Sequence, residues 1–161
     1  MVIRLRITCV GGADLNEPCV RVVAMDNTAS LLELHEMIQD AVSFDRDHVF
    51  GFCIANSASP WAEKTWLSVS ELWEAQREDY GDIEIRDALP TGRKKLFYYF
   101  DPGDRWIFKI QKLRSSKADA LIAAPQILER IGPDPEQYPG SNDPDDWDDS
   151  EDSEESEGSE E

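Results

Sequence analysis

Leu96-Phe97-Tyr98-Tyr99-Phe100-Asp101-Pro102-Gly103-Asp104-Arg105-Trp106-Ile107-Phe108-Lys109-Ile110 is the stretch on which the fold class turns. Residues 96–100 are an unbroken β-prone run of aliphatic and aromatic side chains. Asp-Pro-Gly-Asp is a turn signature. Proline sets φ at the second position and glycine accepts the third, which favours a type II turn. Trp106, Phe108 and Ile110 then alternate with Ile107 and Lys109, the period of a half-buried strand. The stretch predicts a hairpin over residues 96–114, with Trp106 in the core.

Upstream, Ile3, Leu5, Ile7 and Cys9 alternate with Arg4, Arg6 and Thr8, again at period two. Residues 19–25 read as its antiparallel partner, with Val20, Val22 and Ala24 on one face and a loose connection through Gly11-Gly12. Ser30 followed by Glu33 is a capping box. Leu31, Leu34, Ile38 and Ala41 or Val42 recur at helical spacing, which predicts about three turns of amphipathic helix. His48, Phe50, Phe52 and Ile54 mark a third strand. Residues 55–68 read as irregular, residues 69–77 as a short helix burying Leu72 and Trp73, and residues 85–89 as one helical turn. Trp61, Trp66 and Trp73 are grouped in this middle segment, where either a core or an exposed patch accounts for them.

Residues 125–131 read as a short C-terminal helix, with Pro125 near its start and Gly132 past its end. The expected fold is α+β in β-β-α-β-β-β order. Its sheet is largely antiparallel, and the main helix packs on one face. Residues 1–140 are expected to form one domain and residues 141–161 an acidic, disordered tail.

The 161 residues carry 16 Lys and Arg against 34 Asp and Glu, a net charge of −18. The charge is uneven: residues 86–117 hold a net +6, and residues 143–161 hold 12 acids and no base. That tail has too little apolar surface to offset its ordering entropy. Trp147 is its one large anchor. Hydrophobic residues make up 40% of the chain, which excludes a wholly disordered polypeptide. No apolar run approaches the ~18 residues of a membrane span, and the N-terminal alternation is unlike a signal-peptide core. Cys9, Cys19 and Cys53 are odd in number and lack metal-site spacing. A reduced, cytoplasmic, soluble protein is expected.

Three stretches together resemble a known family. They are Leu31-Leu-Glu-Leu-His35-Glu-Met-Ile-Gln39 leading to His48-Val-Phe50-Gly-Phe52, the Tyr98-to-Trp106 hairpin with its Asp101-Pro-Gly-Asp104 turn, and Pro125-Gln-Ile-Leu-Glu129 with Gly132-Pro-Asp-Pro135-Glu-Gln-Tyr138-Pro139. The pattern is similar to the plasmid pRiA4b ORF-3-like family, over roughly residues 2–139. The resemblance implies a compact α+β domain and an association with mobile genetic elements, and it implies no particular reaction. The chain departs from the family pattern in reading His48-Val49-Phe50 where many members read His-Leu-His. It also has Phe108 where many have histidine, and no cysteine after Cys53.

His35 and His48 are the only histidines. One reading packs both in the fold, hydrogen-bonded, with one of them beside a carboxylate. The other gathers them with Asp45, Asp47, Asp101 or Asp104 as a metal or acid–base site. Asp101 at the first turn position is also explained by a bond to its own backbone two residues on. Arg93, Lys94, Lys95, Lys109, Lys112, Arg114 and Lys117 form a basic stretch interleaved with aromatics. That pattern fits either a solvated face or a surface for single-stranded nucleic acid, which the acidic tail would block. No phosphate-binding glycine loop, nucleophile elbow or calcium loop occurs, and no cofactor is expected. Cys9 and Cys53 read as buried thiols. The expected function is a non-enzymatic binding or accessory domain with a protein partner and no membrane association. The alternatives are nucleic-acid binding through the basic segment and a metal-dependent enzyme using the histidines.

Overall fold

The structure is a computed structural model, and it describes residues 1–135 apart from Ala13, Asp14, Asn16, Asp47, Pro102 and Asp104. The acidic tail, its expected disorder, Trp147 and the expected boundary at residue 140 lie outside the described residues.

One seven-stranded sheet organises the chain, in the order β4-β3-β5-β6-β1-β2-β7. The strands are β1 (Val2–Gly11), β2 (Val20–Asp26), β3 (Phe50–Ala55), β4 (Thr65–Trp66), β5 (Lys95–Phe100), β6 (Trp106–Lys112) and β7 (Gln126–Ile131). Every pairing among the described residues is antiparallel. The β5–β6 hairpin stands at the centre, with Phe100 opposite Trp106 and Leu96 opposite Ile110. Arg105 N–H donates to Asp101 O at 2.7 Å, so a five-residue connection closes the hairpin. Pro102 and Asp104 of the expected type II turn lie outside the described residues.

Alternation fixes which face is core. Ile3, Leu5 and Ile7 of β1, Phe50 and Phe52 of β3, Tyr98 and Phe100 of β5, and Trp106, Phe108 and Ile110 of β6 form one buried cluster. Helix α1 (Leu31–Val42) covers it with Leu31, Leu34, Ile38 and Val42. Its start is the capping box foreseen in the sequence: Glu33 N–H donates to Ser30 Oγ, and Ser30 N–H donates to the Glu33 carboxylate. Val23 and Met25 of β2, and Cys19 just before it, join this cluster. Leu5 stands opposite Val23 and Ile3 opposite Met25. Val20, Val22 and Ala24 do share a face, but it is the one turned away from α1.

Three readings need correction, besides the expected β-β-α-β-β-β order, which gains β4 within residues 55–68 read as irregular and β7 after β6. Residues 126–131 form β7, an edge strand paired with β2 from Val20↔Ile131 to Ala24↔Gln126, and not a helix. Six residues are too few for either period to be decisive. The open ladder of β2 supplies backbone partners that a one-turn helix lacks. Gly132 ends this strand at φ +83°, where a Cβ would lie 1.8 Å from the Pro18 carbonyl oxygen. It therefore marks a close backbone approach and not a helix stop. Second, α2 spans Trp73–Gly81, later than expected. Leu72 precedes its first turn and is 75% exposed, and Tyr80 is its buried anchor. Third, the third strand begins at Phe50, so His48 lies in the connection before it. A one-turn helix, α3 (Ile85–Ala88), buries Ile85 and Ala88 against the core.

On the opposite sheet face, Cys53, Ala55 and Phe97 form a smaller cluster under Ala58, Tyr99 and Ile107.

Candidate functional site

His35 sits on α1 and is fully buried. Its ring stacks on Phe50, with centroids 3.8 Å apart and planes 9° from parallel. A chain of hydrogen bonds fixes its proton. Arg46 N–H donates to Gln39 Oε1 at 3.0 Å, which turns the Gln39 amide so that Nε2 donates to the Tyr98 hydroxyl at 2.9 Å. The single Tyr98 proton then goes to His35 Nδ1 at 2.6 Å, which places the imidazole hydrogen on Nε2. Nε2 is buried without a hydrogen-bond partner, and the nearest carboxylate oxygen, of Glu36, is 3.9 Å away. Burial pushes the His35 pKa down to about 3, and the nearby Arg77 and Arg46 charges add to the shift. His35 is therefore a neutral ring that ties α1 to β5.

His48 stands apart from it. Its Nε2 is 3.4 Å from Asp101 Oδ2, and its ring meets Phe100 edge-on. Asp101 is nearly buried and sits at φ +60°. Its Oδ1 accepts Gly103 N–H at 3.1 Å, and its own N–H donates to Val49 O. These contacts make Asp101 the pivot of the β5–β6 connection. The structure thus brings His48 to Asp101 and leaves His35 in the core. Asp45 is exposed in the α1–β3 connection, and Asp47 and Asp104 lie outside the described residues. Among the described residues no group of three or more His, Cys, Asp or Glu is placed to hold a metal ion. Cys9, Cys19 and Cys53 are free and buried. Burial pushes the Cys9 thiol up to about 12 and the Cys53 thiol to about 11, far from a reactive thiolate.

The basic stretch divides. Arg93, Lys94, Lys95 and Lys112 line one concavity. Lys109 sits mid-strand on the face away from α1, opposite Thr8 and Phe97. Arg114 follows β6, where its carbonyl accepts a bond from Arg4, and Lys117 opens a short 3₁₀ turn. Trp106 and Phe108 face the core, so they are not stacking platforms.

A second feature was only hinted at in the sequence. Beside β4 runs a groove of about 710 Å³, floored by Gly51, Tyr99 and Ile107 and walled by Val49, Trp66 and Val69. Trp66 lies across Tyr99 at 5.3 Å between centroids. Gly51 admits it, since a Cβ there would sit 3.0 Å from the indole. The Ser68 and Ser70 hydroxyls both donate to Asp79 Oδ2, at 2.8 and 2.7 Å, and pin the outer wall to α2. Those bonds hold the Asp79 carboxyl below its usual range. The Lys64 ammonium gathers the carbonyls of Ser59, Pro60 and Ala62 and closes the loop that bears Trp61. Trp61 is 93% exposed, Val69 94% and Trp66 46%. The rim mixes signs, with Lys64 and Arg105 against Glu71 and Asp101. The clustering of Trp61 and Trp66 in an aperiodic segment was the available sequence signal. Tyr99, Val49 and Ile107 carried none, because they reach the groove from the core hairpin and its neighbour.

Comparison with known proteins places the chain by sequence and by fold. The family model described as plasmid pRiA4b ORF-3-like protein matches residues 2–141. An uncharacterized protein y4hQ of Sinorhizobium fredii is 28% identical over 141 residues; the match covers 86% of this chain and 66% of that protein's own length, just under two thirds. The crystal structure of a protein of unknown function, MM3350, from Methanosarcina mazei Go1 shares the fold at a TM-score of 0.60 and 17% identity. It covers 95% of this chain and 79% of the other.

Proposed function

For this chain, which belongs to the plasmid pRiA4b ORF-3-like protein family, we propose the role of a non-enzymatic binding module that takes an extended, apolar protein segment in the groove beside β4. The observation that carries the reading is the exposure of Val49, Trp66 and Val69 along the concave wall, with Trp61 and Leu72 exposed in the same stretch of chain outside the groove's lining. An apolar patch rimmed by polar residues marks an interaction site more often than chance surface. The mixed-sign rim suits a polypeptide, whose backbone presents both donors and acceptors, better than a polyanion. The histidines support the same reading. His35 is a neutral structural ring, and His48 braces the Asp101 turn at the mouth of the groove.

In this account residues 1–140 are the binding body and the acidic tail keeps it soluble. The three free, buried thiols suit a reducing cytoplasm. No helix among the described residues is long and apolar enough to cross a membrane. A link to mobile genetic elements is part of the proposal, and the word plasmid in the family's description supports it.

A random-peptide display selection against the full chain tests the reading. Peptides with two or more large apolar side chains are expected to be enriched. Trp66→Ala and Val69→Asp should each weaken their binding at least tenfold, while Lys94→Ala leaves it unchanged. Failure to enrich any peptide, or enriched peptides indifferent to both groove variants, would contradict it.

A further inference from the structure

The opposite end of the sheet from His48 and Asp101 carries a separate concavity of about 840 Å³. Among the described residues, five cations line it, Arg86, Arg93, Lys94, Lys95 and Lys112, and no carboxylate does. It is built by the fold. Arg86 N–H donates to Asn27 O and anchors α3 at the end of β2. Lys95 opens β5 opposite Ala55, and Lys112 closes β6 opposite Leu5. Only Arg86 has a carboxylate partner among the described residues, Glu84 at 2.7 Å. The Lys95 ammonium has backbone carbonyls of Asn56 and Arg93, and the Lys112 ammonium has the Ser115 hydroxyl.

This is unusual for a chain with 34 acidic and 16 basic residues. Convergent like charges repel one another unless an anion sits among them. We infer that this cavity is a binding site for a compact polyphosphate-bearing molecule, of the class of a nucleoside di- or triphosphate or inorganic pyrophosphate. Compactness follows from the placement of the other cations. Lys109, Arg114 and Lys117 lie off the cavity and do not extend it into the line of charge that a nucleic-acid strand would track. The amides of Asn27, Asn56 and Gln111 add neutral hydrogen-bonding groups, and Leu89 and Pro90 add an apolar patch on which a ring can rest. The cavity shares no lining residue with the groove beside β4.

Calorimetric titration of the full chain with ATP, with pyrophosphate and with a single-stranded oligonucleotide tests the inference. Binding of ATP or pyrophosphate is expected. The double substitution Arg93→Glu/Lys94→Glu, at two exposed positions of the turn before β5, should weaken it at least tenfold without changing the thermal melt. Lys112→Gln should weaken it severalfold and serves if the double variant fails to fold. Trp66→Ala should leave it unchanged, which separates this site from the groove. Tighter binding of ATP than of pyrophosphate, or equal binding of both, each supports the site; the first assigns a nucleoside, the second an inorganic polyphosphate. Three results would overturn the inference: no binding of either small probe, binding of the oligonucleotide alone, or undiminished binding by folded charge-reversal variants.

Discussion

The Tyr98 hydroxyl satisfies two buried groups at once, the Gln39 amide and His35 Nδ1. Tyr98→Phe strands both, and a buried group left without its partner costs about 1–3 kcal/mol. Urea unfolding should show that loss with an unchanged slope. His35 adds a pH dependence whose sign is set by its depressed pKa, about 3 in the fold against an ordinary 6.5. Below pH 6.5 the unfolded chain takes up a proton that the folded chain refuses. Stability from this group is therefore fully present above that value and falls on acidification, by up to about 1.4 kcal/mol per pH unit. Comparing unfolding midpoints at pH ~7.5 and ~5 should show a smaller acid loss in His35→Gln than in the native chain. An equal loss would mean that His35 is charged in the fold. The sequence placed His35 on or beside the apolar face of its helix. It could not show that the partner would be a tyrosine sixty-three positions away, because that contact exists only once α1 lies on β5.

Among the elements, β7 shows where sequence reasoning ran out and why. Its segment, Gln126-Ile-Leu-Glu-Arg-Ile131, has no decisive period, and tertiary pairing with β2 settles it. The β5–β6 hairpin and α1 were legible because each carries its own local determinants, turn chemistry in one and a capping box in the other. The groove was illegible because its floor comes from β3, β5 and β6 and its wall from the residue before β3, from β4 and from the aperiodic segment after it. Two arginines, Arg21 of β2 and Arg130 of β7, tie the β2–β7 edge to α1. Arg21, almost fully buried, donates from Nε to Ala41 O at the C-terminal end of the helix and from Nη2 to Asp134 at 2.6 Å. Arg130 donates to the same Ala41 carbonyl at 2.7 Å. Both place positive charge where the helix dipole is negative. Arg21→Ala should cost about 1–3 kcal/mol by removing the donors of the Val20 and Ile131 carbonyls and one of the cations on Asp134, as a thermal melt would report. Gly132→Ala should also lower the melting temperature, because its Cβ cannot coexist with the Pro18 carbonyl. Hydrogen exchange should show the loss concentrated in β2 and β7. Uniform loss across the sheet would mean that β7 is not a separately released edge.

At the scale of the whole molecule, one antiparallel sheet keeps two dissimilar concavities apart, an apolar groove at the β4 edge and a cationic cavity at the end where β5 begins. The helices cover the core face and leave both open. On the proposed reading the groove beside β4 is the working surface. The most direct measurement is a titration of a selected apolar peptide into isotope-labelled full chain, followed by amide and indole resonances. Saturable shifts are expected at Val49, Trp66, Val69 and Tyr99, with Arg93, Lys94 and Lys95 unmoved. Shifts confined to the cationic cavity, or no site-specific shifts at all, would contradict it.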